Sequence, residues 1–96
     1  MLKKIVEVNL SDYFQNFELD NNIIYMDVKE EYYNKIHDIF NHDLPYINQF
    51  FNEFFTIDYE ELGTFMLKIK PNIKNLNKFK QNVIYLKRCL DRKIND

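Results

Sequence analysis

The chain has no alanine and no tryptophan, one glycine (Gly63), one serine (Ser11), one cysteine (Cys89) and two prolines. A single glycine excludes the Gly-rich loops that cradle nucleotide phosphates, because such loops need several backbone positions without a Cβ. Ser11 stands beside Asp12 with no histidine nearby, so a serine triad has no support. One cysteine can build neither an intramolecular disulfide framework nor a multi-cysteine metal site. No apolar run approaches the roughly 20 residues that span a bilayer. The opening MLKKIVEVNL is too short and too quickly interrupted for a signal peptide. These absences together predict a soluble cytoplasmic protein with no membrane partner.

What remains is rich in Asn, Ile, Lys, Phe and Tyr. That skew is the mark of an AT-rich genome, as in a low-GC bacterium, its phage or an AT-rich virus, and carries no functional meaning. Of the 96 residues, 46% are hydrophobic and 17% aromatic, enough large side chains for a core and too many for a disordered chain. The length predicts one domain over residues 1–96.

The net charge of −2 hides a segregation. Residues 1–65 hold four lysines against thirteen carboxylates; residues 66–96 hold nine Lys or Arg against Asp91 and Asp96. A chain so divided is an electrostatic dipole. It can steer a basic partner to one end or a polyanion to the other, and it suits homo-oligomers in which opposite ends meet.

Periodicity gives the elements. Residues 3–10 alternate as a strand, with Val6, Val8 and Leu10 on one face. FELDNNIIYMDV reads as two strands around a tight Asp20-Asn21-Asn22 turn, with Ile24, Met26 and Val28 sharing a face. From Lys29 the period becomes helical through Tyr33, Ile36, Ile39 and Phe40, ending near His42 because Leu44 precedes a proline. Pro45 then suits the first turn of a second helix over 46–57. Its apolar arc is centred on Ile47, Phe50, Phe51, Phe54 and Ile57, with Tyr46 and Phe55 at the edges, where one of them can line a contact surface. Gly63 marks a break. Residues 59–70 fit either a strand over 64–70 or a helix. The last helix spans 72–94 on Ile73, Leu76, Phe79, Val83, Leu86 and Leu90, with Asn72 as its N-cap. The expected class is α+β: a small N-terminal antiparallel β-sheet, two helices, room for a returning strand, and a long C-terminal helix.

Candidate chemistry is sparse. His37 and His42 are five apart and diverge on a helix, so they do not form the i, i+4 pair a metal uses. No catalytic group, metal or cofactor is expected, and the chain reads as a non-enzyme. The conspicuous feature is LPYINQFFNEFFTIDYEELGTF at 44–65, in which four phenylalanines within six positions, Phe50, Phe51, Phe54 and Phe55, sit among carboxylates. Glu30, Glu31, Asp38, Asp43, Glu53, Asp58, Glu60 and Glu61, with Tyr59 as an aromatic anchor, form the candidate surface for a protein partner. In the last helix Lys74, Lys78, Lys87, Arg88 and Arg92 form the alternative, a grip on nucleic-acid phosphates.

The same stretch resembles immunity proteins of bacterial contact-dependent growth inhibition. Pro45, Ile47, the pairs Phe50-Phe51 and Phe54-Phe55, Asp58-Tyr59 and Gly63-Thr64 match a pattern that recurs in one such family, and the apolar last helix matches its C-terminal helix. The likeness covers residues 44–94. The chain departs from the pattern in having Thr56-Ile57 where the family has a histidine-containing step. The resemblance implies a non-catalytic protein that binds a cognate toxin, in many cases a basic nuclease, and blocks it. A small nucleic-acid-binding or regulatory protein, and a phage or viral inhibitor of a host defence protein, are the alternatives.

Overall fold

The computed structural model describes residues 1–61 and 65–95. The order is α1 (Leu2–Leu10), β1 (Phe14–Asp20), β2 (Ile23–Val28), a 3-10 turn (Glu30–Tyr32), α2 (Tyr33–Phe51), β3 (Phe55–Glu61), β4 (Phe65–Pro71) and α3 (Leu76–Asn95). The class is α+β. The four strands form one antiparallel sheet in the order β1-β2-β4-β3.

The hairpin β1–β2 closes on Asn21 and Asn22, at φ 51° and 62°. Two successive positive φ values make a type I′ turn, whose twist matches that of the strands, and asparagine tolerates this region. The expected turn therefore sits at Asp20-Asn21-Asn22. β1 also carries a bulge between Gln15 and Glu18, with Asn16 at φ 57°.

The predicted strand over 3–10 is a helix instead. Val6 and Leu10 are buried and Val8 is 65% exposed, which is the 3.6-residue period and not alternation. Eight residues with apolar groups at 5, 6, 8 and 10 fit both periods, and the β-branched side chains favoured the strand. Packing of α1 on α3 and β1 decides the matter.

The two predicted helices are one. Pro45 lies inside α2. A proline there removes the bond to the Asn41 carbonyl, but Asn41 and Pro45 are both exposed, so that carbonyl can meet water. Ile36, Phe40, Ile47 and Phe51 keep one helical phase across the proline, and their burial holds both halves on the same core. α2 then stops at Phe51, not 57. Phe55 and Ile57 belong to β3 and are buried, while Phe50, expected in the core, is 68% exposed. The strand alternation of Phe55, Ile57 and Tyr59 overlaps the helical arc, so the aromatic cluster concealed the change of period. The expected returning strand exists as β4, and among the described residues 59–61 and 65–70 are strand, not helix. Gly63 and Thr64, with the break assigned to Gly63, lie outside the described residues.

The last helix begins at Leu76, not 72. Its cap is Asn75, whose Oδ1 accepts the Lys78 N–H at 3.2 Å. Asn72, expected as the cap, instead donates its backbone N–H to Phe54 O (2.8 Å) and its side-chain amide to Glu53 O (3.0 Å), clamping the turn after α2. Ile73, expected in the apolar seam, is exposed before the helix starts.

All buried sheet side chains face one side. Ile24, Met26, Leu67 and Ile69 on the central strands meet Phe55 and Ile57 on β3 and Phe14 on β1. The helices cover this side: α1 over β1, α2 over β3, and α3 touching both α1 and α2. α3 contributes Phe79, Val83, Leu86, Leu90 and Ile94.

Two polar devices hold the layers in register. Asn48 on α2 donates to Ile57 O (2.8 Å) and accepts the Ile57 N–H (2.7 Å), so its amide acts as a strand neighbour for the edge of β3. Tyr13, nearly buried at the end of α1, donates its hydroxyl to Asp91 on α3. Lys87 meets the same carboxylate at 2.7 Å and Asp12 at 3.5 Å. Burial alone would raise the Asp91 carboxyl, but bonds from Lys87 and Tyr13 outweigh it and hold the group below its usual range. Burial, then the bond to Asp91, pushes the Tyr13 phenol up to about 12.

Asn48→Ala leaves the N–H and C=O of a buried residue without partners, and should lower the unfolding free energy by about 1–3 kcal/mol. Urea unfolding checks this; an unchanged midpoint would refute the edge-pairing role. The raised Tyr13 pKa adds stability that is complete below pH 10 and lost as pH rises through about 12. Tyr13→Phe should therefore reduce stability at neutral pH and flatten its decline over that window, as read by chemical denaturation at each pH.

Candidate protein-binding surface

The face of the sheet away from the helices carries the side chains that alternate with the core. Cross-strand register arranges them in rows. One row is Glu18–Tyr25–Lys68–Asp58 and the next is Gln15–Asp27–Met66–Glu60. All are exposed or half-exposed. With Asp20, this face holds five carboxylates and two lysines.

Both lysines are engaged within the face. Lys68 bonds Glu60 and lies 5.7 Å from the Tyr25 ring centroid. Lys70 is 3.2 Å from Asp58. The bond from Glu60 raises the Lys68 ammonium above its usual range. Asp27 accepts a bond from Asn16 at 3.0 Å. Glu18 and Asp20 make no ion pair among the described residues. The β1–β2 half of the face is thus acidic, with Tyr25 at its centre.

Only part of the predicted acidic set lies here. Asp58 and Glu60 are on this face, next to carboxylates that the sequence reading missed: Glu18, Asp20 and Asp27. Their signal was present, since Ile24, Met26 and Val28 on one face of β2 put Ile23, Tyr25 and Asp27 on the other. Tyr59 and Glu61 alternate to the helix-covered side. Glu30 and Glu31 stand before α2, Asp38 lies on it and Glu53 follows it, so they span its whole length. Asp43 is taken by Lys93 at 2.9 Å. The nine residues do not form one patch.

Tyr59 belongs to a different cluster. Its ring stacks on Phe40 and Phe65, and its hydroxyl lies 3.0 Å from His37 Nδ1. Asn41 Nδ2 is 2.9 Å from His37 Nε2. With the amide donating to Nε2, the neutral ring carries its proton on Nδ1 and gives it to the Tyr59 oxygen. Glu61 approaches to 3.8 Å. Burial first, and the Glu61 charge second, push the Tyr59 phenol up to about 12. A phenol held neutral is a poor base and nucleophile at pH 7, so this group positions the end of β3 against α2. His42 points elsewhere, bonding the Asp38 carbonyl at 2.9 Å, which with the Asp38 carboxylate raises its pKa. Among the described residues no three His, Cys, Asp or Glu gather as metal ligands.

The basic set divides as well. Lys74 precedes α3, and Lys87 is turned toward α1 and held by Asp91 and Asp12. Lys78, Arg88 and Arg92 share the outward stripe of α3 with Gln81 and Tyr85, at steps of three and four. Arg88 lies 5.8 Å from the Tyr85 ring centroid. No helix among the described residues is long and apolar enough to cross a membrane.

Comparisons with protein-family models, curated proteins and solved structures found no match.

Tyr59→Phe should remove one phenol that ionises near pH 12 from the ultraviolet titration curve. It should leave the fold intact, since both stacking partners remain. Loss of a component ionising near pH 10 instead would contradict the placement of Tyr59.

Proposed function

We propose that the protein is a non-catalytic inhibitor that binds another protein, most concretely an immunity protein that neutralises a cognate toxin. The observation that carries this reading is the open sheet face, where Tyr25 sits in a row of four strands among five carboxylates. A flat surface with an aromatic centre and a charged rim has the anatomy of a protein interface. Its negative charge speeds capture of a basic partner, as a nuclease toxin would be, and stands in for the phosphates such a partner binds. The matched residues Asp58 and Tyr59 fall on opposite faces of β3, so this reading assigns contact to Asp58 and a structural role to Tyr59. The acid residues of contact are Glu18, Asp20, Asp27, Asp58 and Glu60.

The second reading, phosphate contact by α3, draws on the shared outward stripe of Lys78, Arg88 and Arg92. The neutralised Lys87 weakens it, as does the net acidity of the chain.

The test is affinity capture of the tagged protein from the cells that make it, at low salt, with proteins identified and nucleic acid assayed in parallel. A stoichiometric partner carrying a toxin domain is the expected result. Asp58→Lys with Asp27→Lys should then weaken that complex roughly tenfold or more and flatten its salt dependence. Nucleic acid recovered without a protein overturns the proposal in favour of the α3 reading.

A further inference from the structure

The side of the molecule opposite the open sheet face holds a second surface of different chemistry. Tyr46 and Phe50, one helical turn apart on α2, are 72% and 68% exposed. Beside them a hollow of about 230 Å³ runs between α2 and α3, floored by Ile47, Phe51 and Cys89. Phe50 stands edge-on to Phe51, with centroids 4.8 Å apart, so the exposed ring continues the buried aromatic stack outward. The Asp43–Lys93 pair closes one end of the hollow. Large aromatics side by side at this exposure are costly to leave in water, and such a patch marks a contact.

The hollow's own charges cancel, and those beside it on α3 are of one sign. Its one lining carboxylate, Asp43, is neutralised by Lys93. The adjoining stripe of α3 presents Lys78, Arg88 and Arg92 with Tyr85, which is 51% exposed, and no carboxylate among the described residues. An apolar hollow between two helices, with exposed anchors spaced i and i+4 on one of them, fits an amphipathic helix laid along it. The basic stripe sets the sign of that helix's flanks.

We propose that the α2–α3 hollow docks an amphipathic helix of a partner protein whose apolar face covers Tyr46 and Phe50 and whose acidic flank meets Arg88 and Arg92. A second copy placed face to face by a two-fold axis does not suit the site, because the lining it brings offers the basic stripe no carboxylate but Asp43, which Lys93 already holds. Nucleic acid suits the floor of the hollow poorly, since Ile47 and Phe51 offer nothing to a phosphate. This surface is independent of the inhibitor reading, since its partner is acidic and that reading's partner is basic.

The probe is a synthetic helical peptide with leucines at i, i+4 and i+7 and glutamates on the flanks. Controls are the same peptide with lysines for glutamates, and a single-stranded oligonucleotide. Backbone amide shifts in two-dimensional NMR locate binding, and alkylation of Cys89, the lone thiol, reports on cover of the hollow. The acidic peptide should shift amides of 43–51 and 85–93, slow Cys89 alkylation and weaken with salt. Phe50→Glu, and separately Arg88→Glu with Arg92→Glu, should each weaken it roughly tenfold, about 1.4 kcal/mol. Both alter exposed side chains, and an unchanged spectrum of the free variants certifies the fold. Equal binding of the two peptides overturns the proposal. So do shifts confined to the sheet, concentration-dependent self-association through Phe50, and stronger binding of the oligonucleotide to the same residues.

Discussion

Ile24 and Met26 on β2 lie beside Ile69 and Leu67 on β4, and burial of these four side chains on one side of the sheet is the constraint on which the rest depends. Strand geometry sends alternate side chains to opposite faces, so burying one set on the central strands commits the other set to the outside. Three helices are needed to cover a four-stranded face, and each brings an apolar stripe: Val6 and Leu10, Ile36 through Phe51, Phe79 through Ile94. A chain of this length has little core to spare. That is why one continuous stripe can hold α2 together through Pro45.

The same constraint sorts the charge. The carboxylates of the hairpin and of β3 are carried to the open face by strand alternation, and the lysines of β4 are placed among them by register. The Lys and Arg of α3 are carried to the opposite side by helical periodicity. The division between acidic and basic halves along the chain thus becomes in part a division between two faces, while Glu30, Glu31, Asp38, Asp43 and Glu53 stay along α2. Pairs such as Lys70–Asp58 are exposed on both sides, and their strength is modest. They trim the acidity of one face without abolishing it.

Side-chain amides do much of the work that glycine, serine and capping residues do elsewhere. Asn21 and Asn22 take the positive-φ turn, Asn48 completes the edge of β3, Asn72 clamps the turn after α2, and Asn75 caps α3. Asparagine suits these places because its short amide reaches backbone groups, accepting at Asn75, donating at Asn72 and doing both at Asn48, and because it tolerates the positive φ of Asn21 and Asn22. Several of the chain's many asparagines thus hold the structure.

The sequence by itself determined the α+β class, the tight hairpin turn at Asp20-Asn21-Asn22 and the apolar stripe of the last helix from Phe79 to Leu90. Each of these rests on local periodicity or on turn chemistry that no competing pattern overlaps. Only the tertiary structure decided that residues 2–10 are a helix, that α2 runs through its proline, and that β3 starts within the phenylalanine cluster. In each case two periods fit the same residues, and the choice went to the one that completed the core. The contact surfaces followed from those choices. Phe50 became exposed because α2 ended one residue later, Tyr59 turned inward because β3 began at Phe55, and Glu18, Asp20 and Asp27 joined Asp58 because register, which no single strand encodes, set them on one face.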